Sequence, residues 1–311
     1  MMNRPDRKIC LITGATSGIG QAAALALAKM DFRVIIVGRD GERTARTRDE
    51  IRRTSGNEGV DGYVCDLSLV RDVRGLASRI EADCDRIDVL INNAGARFLK
   101  HRLTGEGVEM TLATNHLGHF VLTLSLIGRL KRSAGARIIN VASGAHRAAT
   151  GLIENIPSPK AYDGRAQYAN SKLANVLFTY ALADKLKGSA ITVNAVDPGG
   201  VATNFARNNG WIHWLKHRMS YWGKKRLLTP AQGADTVVYL ATSADVGGVS
   251  ARYYKDRREI ASSELSRDGG MQDGLWAASI ALSGFDGPLP AGGEEGTPGR
   301  RSPAGIGADE R

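Results

Sequence analysis

Six short runs of apolar, largely β-branched residues recur along the chain, at Ile9 to Thr13, Arg33 to Val37, Gly59 to Cys65, Asp88 to Ile91, Arg137 to Val141 and Ala190 to Val196. Helix-length segments lie between them, among them Gln21 to Met30, Arg71 to Glu81, Glu106 to Lys131 and Ala166 to Lys187. Strands that meet no water on either side read as continuous apolar stretches, so this alternation predicts a parallel sheet covered by helices on both faces. The expected architecture is a doubly wound α/β sheet of about seven strands, in a single domain over residues 1–286. Its seventh strand is expected near Val249 to Tyr254, after a helix that begins at Pro230 and carries Ala234, Val237, Val238 and Leu240. Residues 287–311 are rich in Gly and Pro and nearly lack large apolar side chains. Such a stretch cannot bury enough surface to offset the entropy of ordering it, which predicts a flexible tail.

Composition narrows the class. A chain of 311 residues that is 42% hydrophobic can build a sizeable core, which excludes a mainly disordered protein. Lys plus Arg number 42 against 32 Asp plus Glu, a formal net charge of +10 that suits anionic partners such as nucleotides, nucleic acid or acidic lipid. Cys10, Cys65 and Cys84 are odd in number and show no ligand spacing, so neither a disulfide scaffold nor a metal site is expected. The polar start, Met1 to Lys8, lacks a signal-peptide apolar region, and no stretch of about 18 uninterrupted apolar residues follows it. A soluble, cytoplasmic protein is the expectation.

The first apolar run leads into Thr13-Gly14-Ala15-Thr16-Ser17-Gly18-Ile19-Gly20 and then an alanine-rich helix. A strand, a glycine turn and a helix start in that order suit a dinucleotide: the glycines let phosphates approach the backbone, and the helix start offers free N–H groups and a positive dipole end. About 20 residues further on, where dinucleotide folds contact the adenosine ribose, stand Gly38, Arg39 and Asp40. Arg39 suits a 2′-phosphate and Asp40 a 2′-hydroxyl, which makes NADP(H) the preferred cofactor and NAD(H) the alternative. Asp66, followed by Leu67, ends the third run, where it can accept from an adenine amino group or cap a helix.

Tyr168 and Lys172 lie four apart in a helical segment, so both side chains emerge on one face. An ammonium beside a phenol stabilises the phenolate and brings it toward the range useful for proton transfer. With the glycine turn, this pair makes the chain resemble the short-chain dehydrogenase/reductase family from about Lys8 to Phe285. Further matches in family order are Asn92-Asn93-Ala94-Gly95, Asn115 in Thr114-Asn115-His116-Leu117-Gly118, Ser143 directly after the fifth run, and Asp197-Pro198-Gly199-Gly200-Val201-Ala202-Thr203. The resemblance implies a Rossmann fold and hydride transfer between a nicotinamide and a carbonyl or alcohol carbon. It assigns Tyr168 as general acid for reduction and base for oxidation, and Ser143 as hydrogen-bond donor to the substrate oxygen. Lys172 would bind the nicotinamide ribose and lower the Tyr168 pKa, and Asn115 would hold a relay water. Gly14, Ser17, Gly18, Ile19, Gly20, Arg39, Asp66, Leu67, Asn93, Ala94, Gly95, Pro198, Gly199, Val201 and Thr203 would line the cofactor.

Within the family, the stretch Tyr168 to Thr179 and the insert Gly151 to Arg165 look most like the retinol dehydrogenase and WW-domain oxidoreductase branch. Asp197 stands where that branch usually has His, and the N-terminal anchor common among retinol dehydrogenases is not seen. The implied substrate is a small lipophilic ketone, aldehyde or secondary alcohol, with ketoreductase chemistry on polyketide-like carbonyls included. A lid is expected over residues 204–228; within it Trp211, Leu215, Met219 and Trp222 form an apolar stripe flanked by Arg207, Lys216, Arg218, Lys224, Lys225 and Arg226. That stripe packs on the domain, lines the substrate pocket or makes at most a peripheral membrane contact. No recognition motif accompanies the basic charge, so no nucleic acid partner is expected. A homo-oligomer through the Ala166 to Lys187 helix is compatible with the resemblance, and the competing function is a non-catalytic NADP-sensing protein on the same fold. His146 and His101 have no partner visible in the sequence and read as ordinary histidines.

Overall fold

The structure, a computed structural model, describes residues 7–149, 162–201 and 227–287. Its strands are β1 (Ile9–Thr13), β2 (Arg33–Gly38), β3 (Val60–Val64), β4 (Val89–Asn92), β5 (Arg137–Val141), β6 (Thr192–Val196), β7 (Arg252–Lys255) and β8 (Arg258–Glu259). They form one sheet in the order β3-β2-β1-β4-β5-β6-β7-β8, parallel except for the antiparallel β7–β8 pair. The strand count exceeds the expected seven by β8, a two-residue exposed edge strand. It is joined to β7 through Asp256 and Arg257, both at positive φ (50° and 59°). A two-residue hairpin demands that conformation and usually signals it with Asn-Gly. Here Asp235 and Thr236 hold Arg257 instead, through its guanidinium and its backbone N–H, so the sequence carries no turn signal.

Successive strand residues point to opposite faces, and each face has its own core. Ile9 and Leu11 belong to the cluster that includes Phe120, Leu177, Phe178 and Trp276, whereas Cys10 and Ile12 belong to the one that includes Ala23, Ala24, Leu27 and Val237. The second face is covered by α1 (Gly18–Lys29), α2 (Gly41–Ser55) and, later in the chain, α8 (Pro230–Thr242). The first is covered by α3 (Val70–Asp83), α5 (Gly118–Ser125), α7 (Gly164–Lys185) and α9 (Gly269–Ser283). The expected helix Glu106 to Lys131 is broken into α4 (Met110–Leu112), a π-helical turn Ala113–Leu117, α5, and α6 (Ile127–Lys131). One extra residue per turn bulges the backbone, and Asn115 sits at the bulge. The carboxylate of Glu109, 1% exposed, caps this segment by accepting from the N–H groups of Thr111 and Leu112, each at 2.9 Å.

β1 is flanked by β2 on one side and β4 on the other, so the strand order reverses between β1 and β4. That reversal leaves a crevice at the carboxyl ends of these strands, where ligands bind in open α/β sheets. Among the described residues no helix is long and apolar enough to cross a membrane. Thr203, the stripe from Trp211 to Trp222, nearly all of the expected lid 204–228, the insert up to residue 161, and the tail beyond residue 287 lie outside the described residues.

Candidate active site

A cavity of about 1000 Å³ occupies the crevice. Of the residues expected at the site, Gly14, Ser17, Gly18, Ile19, Arg39, Asp66, Leu67, Asn93, Ala94, Gly95, Ser143, Tyr168, Lys172, Pro198, Gly199 and Val201 line it. Gly20 and Asn115 do not; both stand behind the wall and shape it. A Cβ on Gly20 would lie 2.5 Å from the Asn93 amide and 2.6 Å from the Gly14 carbonyl oxygen, and one on Gly14 (φ 64°) would lie 2.7 Å from Ala94 Cα. No other residue fits those two places. The Asn93 amide locks the turn by donating to the carbonyls of Thr13 (2.8 Å) and Gly14 (3.2 Å).

This cradle fits a dinucleotide. Its backbone is bare of side chains where phosphates must approach, and α1 begins there with no acidic residue in its first turn to oppose them. At the far end lie the exposed side chains of Arg39, Asp40 and Arg43. Asp40 is committed as the N-cap of α2, its carboxylate accepting from the Arg43 N–H at 2.8 Å. Arg43, which sequence reasoning missed, donates from Nε to the Thr16 carbonyl at 3.3 Å and sets a second guanidinium on the same wall. Asp66 does not cap the following helix, whose N-cap is Leu69; it accepts from the N–H and hydroxyl of Ser68.

The opposite end is built by β5 and α7. Lys172 is 3% exposed, and its ammonium donates to the Val141 carbonyl at 2.8 Å and lies 5.9 Å from the centre of the Tyr168 ring. Burial pulls its pKa down to about 8. Ser143 is the N-cap of a short 3₁₀ turn, Gly144–Ala148, and its Oγ accepts from the Ala145 N–H at 3.2 Å. That bond uses a lone pair and leaves the hydroxyl hydrogen to donate. The side chain of Asn115 is bonded on all sides: both amide hydrogens are used, on the Ala96 carbonyl and the Ser171 hydroxyl (each 2.9 Å), and Oδ1 accepts from the Ala96 N–H at 2.7 Å. Its side chain is a clasp between the π-helical turn, the loop after β4 and α7.

Further residues, His119 and Lys255 among them, escaped the sequence. His119, fully buried, joins the Asn115 carbonyl (3.0 Å) to the Thr13 hydroxyl (2.9 Å), while that hydroxyl also accepts from the N–H groups of Asn93 and Ala94. Burial holds its pKa down at about 3, so the ring stays neutral. Lys255 lines the cavity and pairs with Asp197 at 3.5 Å, and a Cβ on Gly144 would come within 3.0 Å of that carboxylate. His146 turns out to have several partners. His101 packs edge-on against Tyr162, with ring centres 5.1 Å apart.

A glycine turn at the switch point and a tyrosine–lysine pair in one cavity define a dinucleotide-dependent oxidoreductase. Residues 8–211 match the family model described as short chain dehydrogenase. Human retinol dehydrogenase 11 is 36% identical over 278 residues, which cover 89% of this chain and 86% of that protein. Human polyprenol dehydrogenase is 34% identical, with 90% of this chain and 86% of the relative covered. An actinorhodin polyketide ketoreductase solved with NADPH shares the fold at a TM-score of 0.64 and 30% identity, over 81% of this chain and 96% of that one. The chain belongs to the short-chain dehydrogenase/reductase family, in its retinol dehydrogenase-like branch, and is an oxidoreductase acting on alcohols.

Proposed function

We propose that the protein is an NADP(H)-dependent oxidoreductase of lipophilic ketones, aldehydes or secondary alcohols, located in the cytoplasm. The observation that carries this reading is the convergence of Ser143, Tyr168 and Lys172 on one cavity with the glycine turn. When bound, the nicotinamide supplies or accepts the hydride. The chain's own residues handle the substrate oxygen: Ser143 donates a hydrogen bond to it, and Tyr168 delivers a proton in reduction or takes one in oxidation. Lys172 favours the phenolate of Tyr168 and offers N–H donors to ribose hydroxyls. Asn115 and His119 hold the wall behind Lys172 in register.

Apolar side chains, Phe98, Ala145, Ala148, Ala169 and Leu227, are among those that line the cavity and support a lipophilic substrate. The retinol and polyprenol of the relatives' names are both lipophilic alcohols. The competing reading, a non-catalytic NADP sensor, has no use for a proton donor beside the nicotinamide. A panel of carbonyls and alcohols assayed by cofactor absorbance, with NADPH and NADH side by side, tests activity and cofactor together. Wild-type and Tyr168→Phe proteins that bind NADPH equally and are equally inactive across the panel would favour the sensor.

NADP(H) is supported by Arg39 and Arg43, two cations where the 2′-phosphate would lie, and by the commitment of Asp40 to the helix cap. A charge-assisted contact is worth about 1.5 to 3 kcal/mol, roughly tenfold to over a hundredfold in affinity. Arg39→Ala should therefore weaken NADPH by about that factor and NADH little, measured as dissociation constants by fluorescence titration. Equal weakening of both would remove Arg39 from cofactor choice. The reverse experiment, an acidic residue at Gly38, has no room: a Cβ there would lie 2.2 Å from Thr44 Oγ1 and 2.4 Å from Thr16 Cγ2.

A further inference from the structure

His146 is the third residue after Ser143, lies within the 3₁₀ turn, and is wholly buried. Its Nδ1 lies 2.7 Å from the Ser143 carbonyl oxygen, and its Nε2 lies 3.0 Å from the backbone nitrogen of Ser263. A backbone N–H can only donate, so Nε2 is the bare acceptor and Nδ1 carries the hydrogen. One neutral tautomer satisfies both bonds. Burial lowers the pKa of this imidazole and keeps it in that form; the charged groups facing it are Arg147 and Asp197, which act in opposite directions. The Tyr253 ring packs against it with centres 4.9 Å apart, its hydroxyl 3.4 Å from Nδ1.

The Ser263 side of this bond belongs to a strap that is tied down at several points. The Arg147 guanidinium donates to the Ala261 carbonyl, the Tyr180 hydroxyl lies 2.8 Å from Ser262 Oγ, and Ser266 Oγ donates to Ser262 Oγ at 2.7 Å. Tyr180 is on α7, the helix that carries Tyr168 and Lys172. The strap, residues 261–267, therefore spans from the turn behind the serine to the helix of the tyrosine, and it lies beyond the 8–211 segment that matches the family model.

We propose that His146 is a positioning residue for Ser143, and that through it the 261–267 strap fixes where the serine hydroxyl points. The proposal rests on the assignment of Ser143 as donor to the substrate oxygen. Filling the core at this place requires only an apolar ring; the two directed bonds are what a phenyl ring cannot supply. A donor displaced by about 1 Å costs up to about 10²-fold in rate, and the serine carbonyl that His146 grips belongs to the same residue as the hydroxyl.

A double-mutant cycle on the full chain tests this, with His146→Phe, Ser143→Ala and the pair, reading kcat, KM and the cofactor dissociation constant. The expected result is that His146→Phe lowers kcat about tenfold to 10²-fold, with cofactor affinity unchanged, and adds little once Ser143 is already Ala. Equal fold-losses in both backgrounds show a general structural role and overturn the proposal alone. Equal turnover by wild type and Ser143→Ala overturns the assignment of the serine, and the proposal with it. Two conservative variants give a second measurement that stands if the phenylalanine variant does not fold. His146→Asn reaches only as far as Nδ1 and can bond the Ser143 carbonyl but not Ser263, and His146→Gln reaches as far as Nε2 and can bond Ser263 but not the Ser143 carbonyl, so each breaks the link to the strap and should lower kcat as the phenylalanine variant does. Wild-type kcat in either of these variants also overturns the proposal.

Discussion

Tyr168→Phe should cut turnover by at least 10²- to 10⁴-fold, the contribution of a positioned acid or base, while leaving cofactor affinity nearly unchanged. The substitution removes one oxygen and nothing else. The ring that packs 5.9 Å from the Lys172 ammonium remains, and that ammonium keeps its bond to the Val141 carbonyl. Helix α7 keeps its register because its fixed points lie elsewhere: Asp163 caps its start, and Leu173, Leu177 and Phe178 are buried in the core. Loss of activity with intact nucleotide binding would thus isolate the proton transfer. Wild-type turnover by the phenylalanine variant would overturn the assignment.

Lys172→Met should harm both functions at once, with turnover lower by about 10²-fold or more and cofactor binding weakened, because one ammonium is asked to hold the ribose and to favour the phenolate. The sign of the pH effect follows from charge. A cation beside a phenol stabilises its anion, so removing it raises the pKa of the phenol, and alcohol oxidation, which needs the phenolate, moves to higher pH. Burial brings Lys172 itself down to about 8, so the cation that favours the phenolate is itself lost as the pH rises through that value. An apparent pKa shared by variant and wild type would rule out the electrostatic role and leave Lys172 as a ribose ligand.

How much of this was legible in the sequence varies with what the chain makes periodic. Strands β1, β2 and β5 are buried on both faces, so ICLIT, RVIIVG and RIINV announce themselves as apolar runs. Strand β8 is two exposed residues after a hairpin without glycine, and nothing in its composition marks it. The π-helical turn at Ala113–Leu117 was equally silent, since its residues suit an ordinary helix and the extra residue exists only in the backbone. In the site, spacing revealed Tyr168 and Lys172 and the glycines because each answers to a local rule. The sequence offered Asp40 only for a 2′-hydroxyl; its place as a helix cap, accepting from the Arg43 N–H, is seen only in the fold. Contacts such as Thr13 with His119, 106 residues apart, or His146 with Ser263, 117 apart, are made by the fold, and no local rule reaches across such separations.

The burial of Lys172 also has a consequence for folding equilibria. In the unfolded chain this lysine titrates near its ordinary 10.5, in the folded protein near about 8. Between those values the unfolded state binds more protons, so stability contributed by this group rises with pH across the window and is absent below it. At neutral pH the folded protein without nucleotide bears about 3 kcal/mol of unfavourable free energy for keeping the ammonium out of water, a large share of the roughly 5 to 15 kcal/mol that separates folded from unfolded domains. Thermal melts of the nucleotide-free protein from pH 7.5 to 10.5 should therefore climb relative to those of Lys172→Met, and parallel curves would refute the linkage. A ligand whose hydroxyls satisfy the ammonium relieves that cost, so nucleotide should protect against heat most at the lower end of this range.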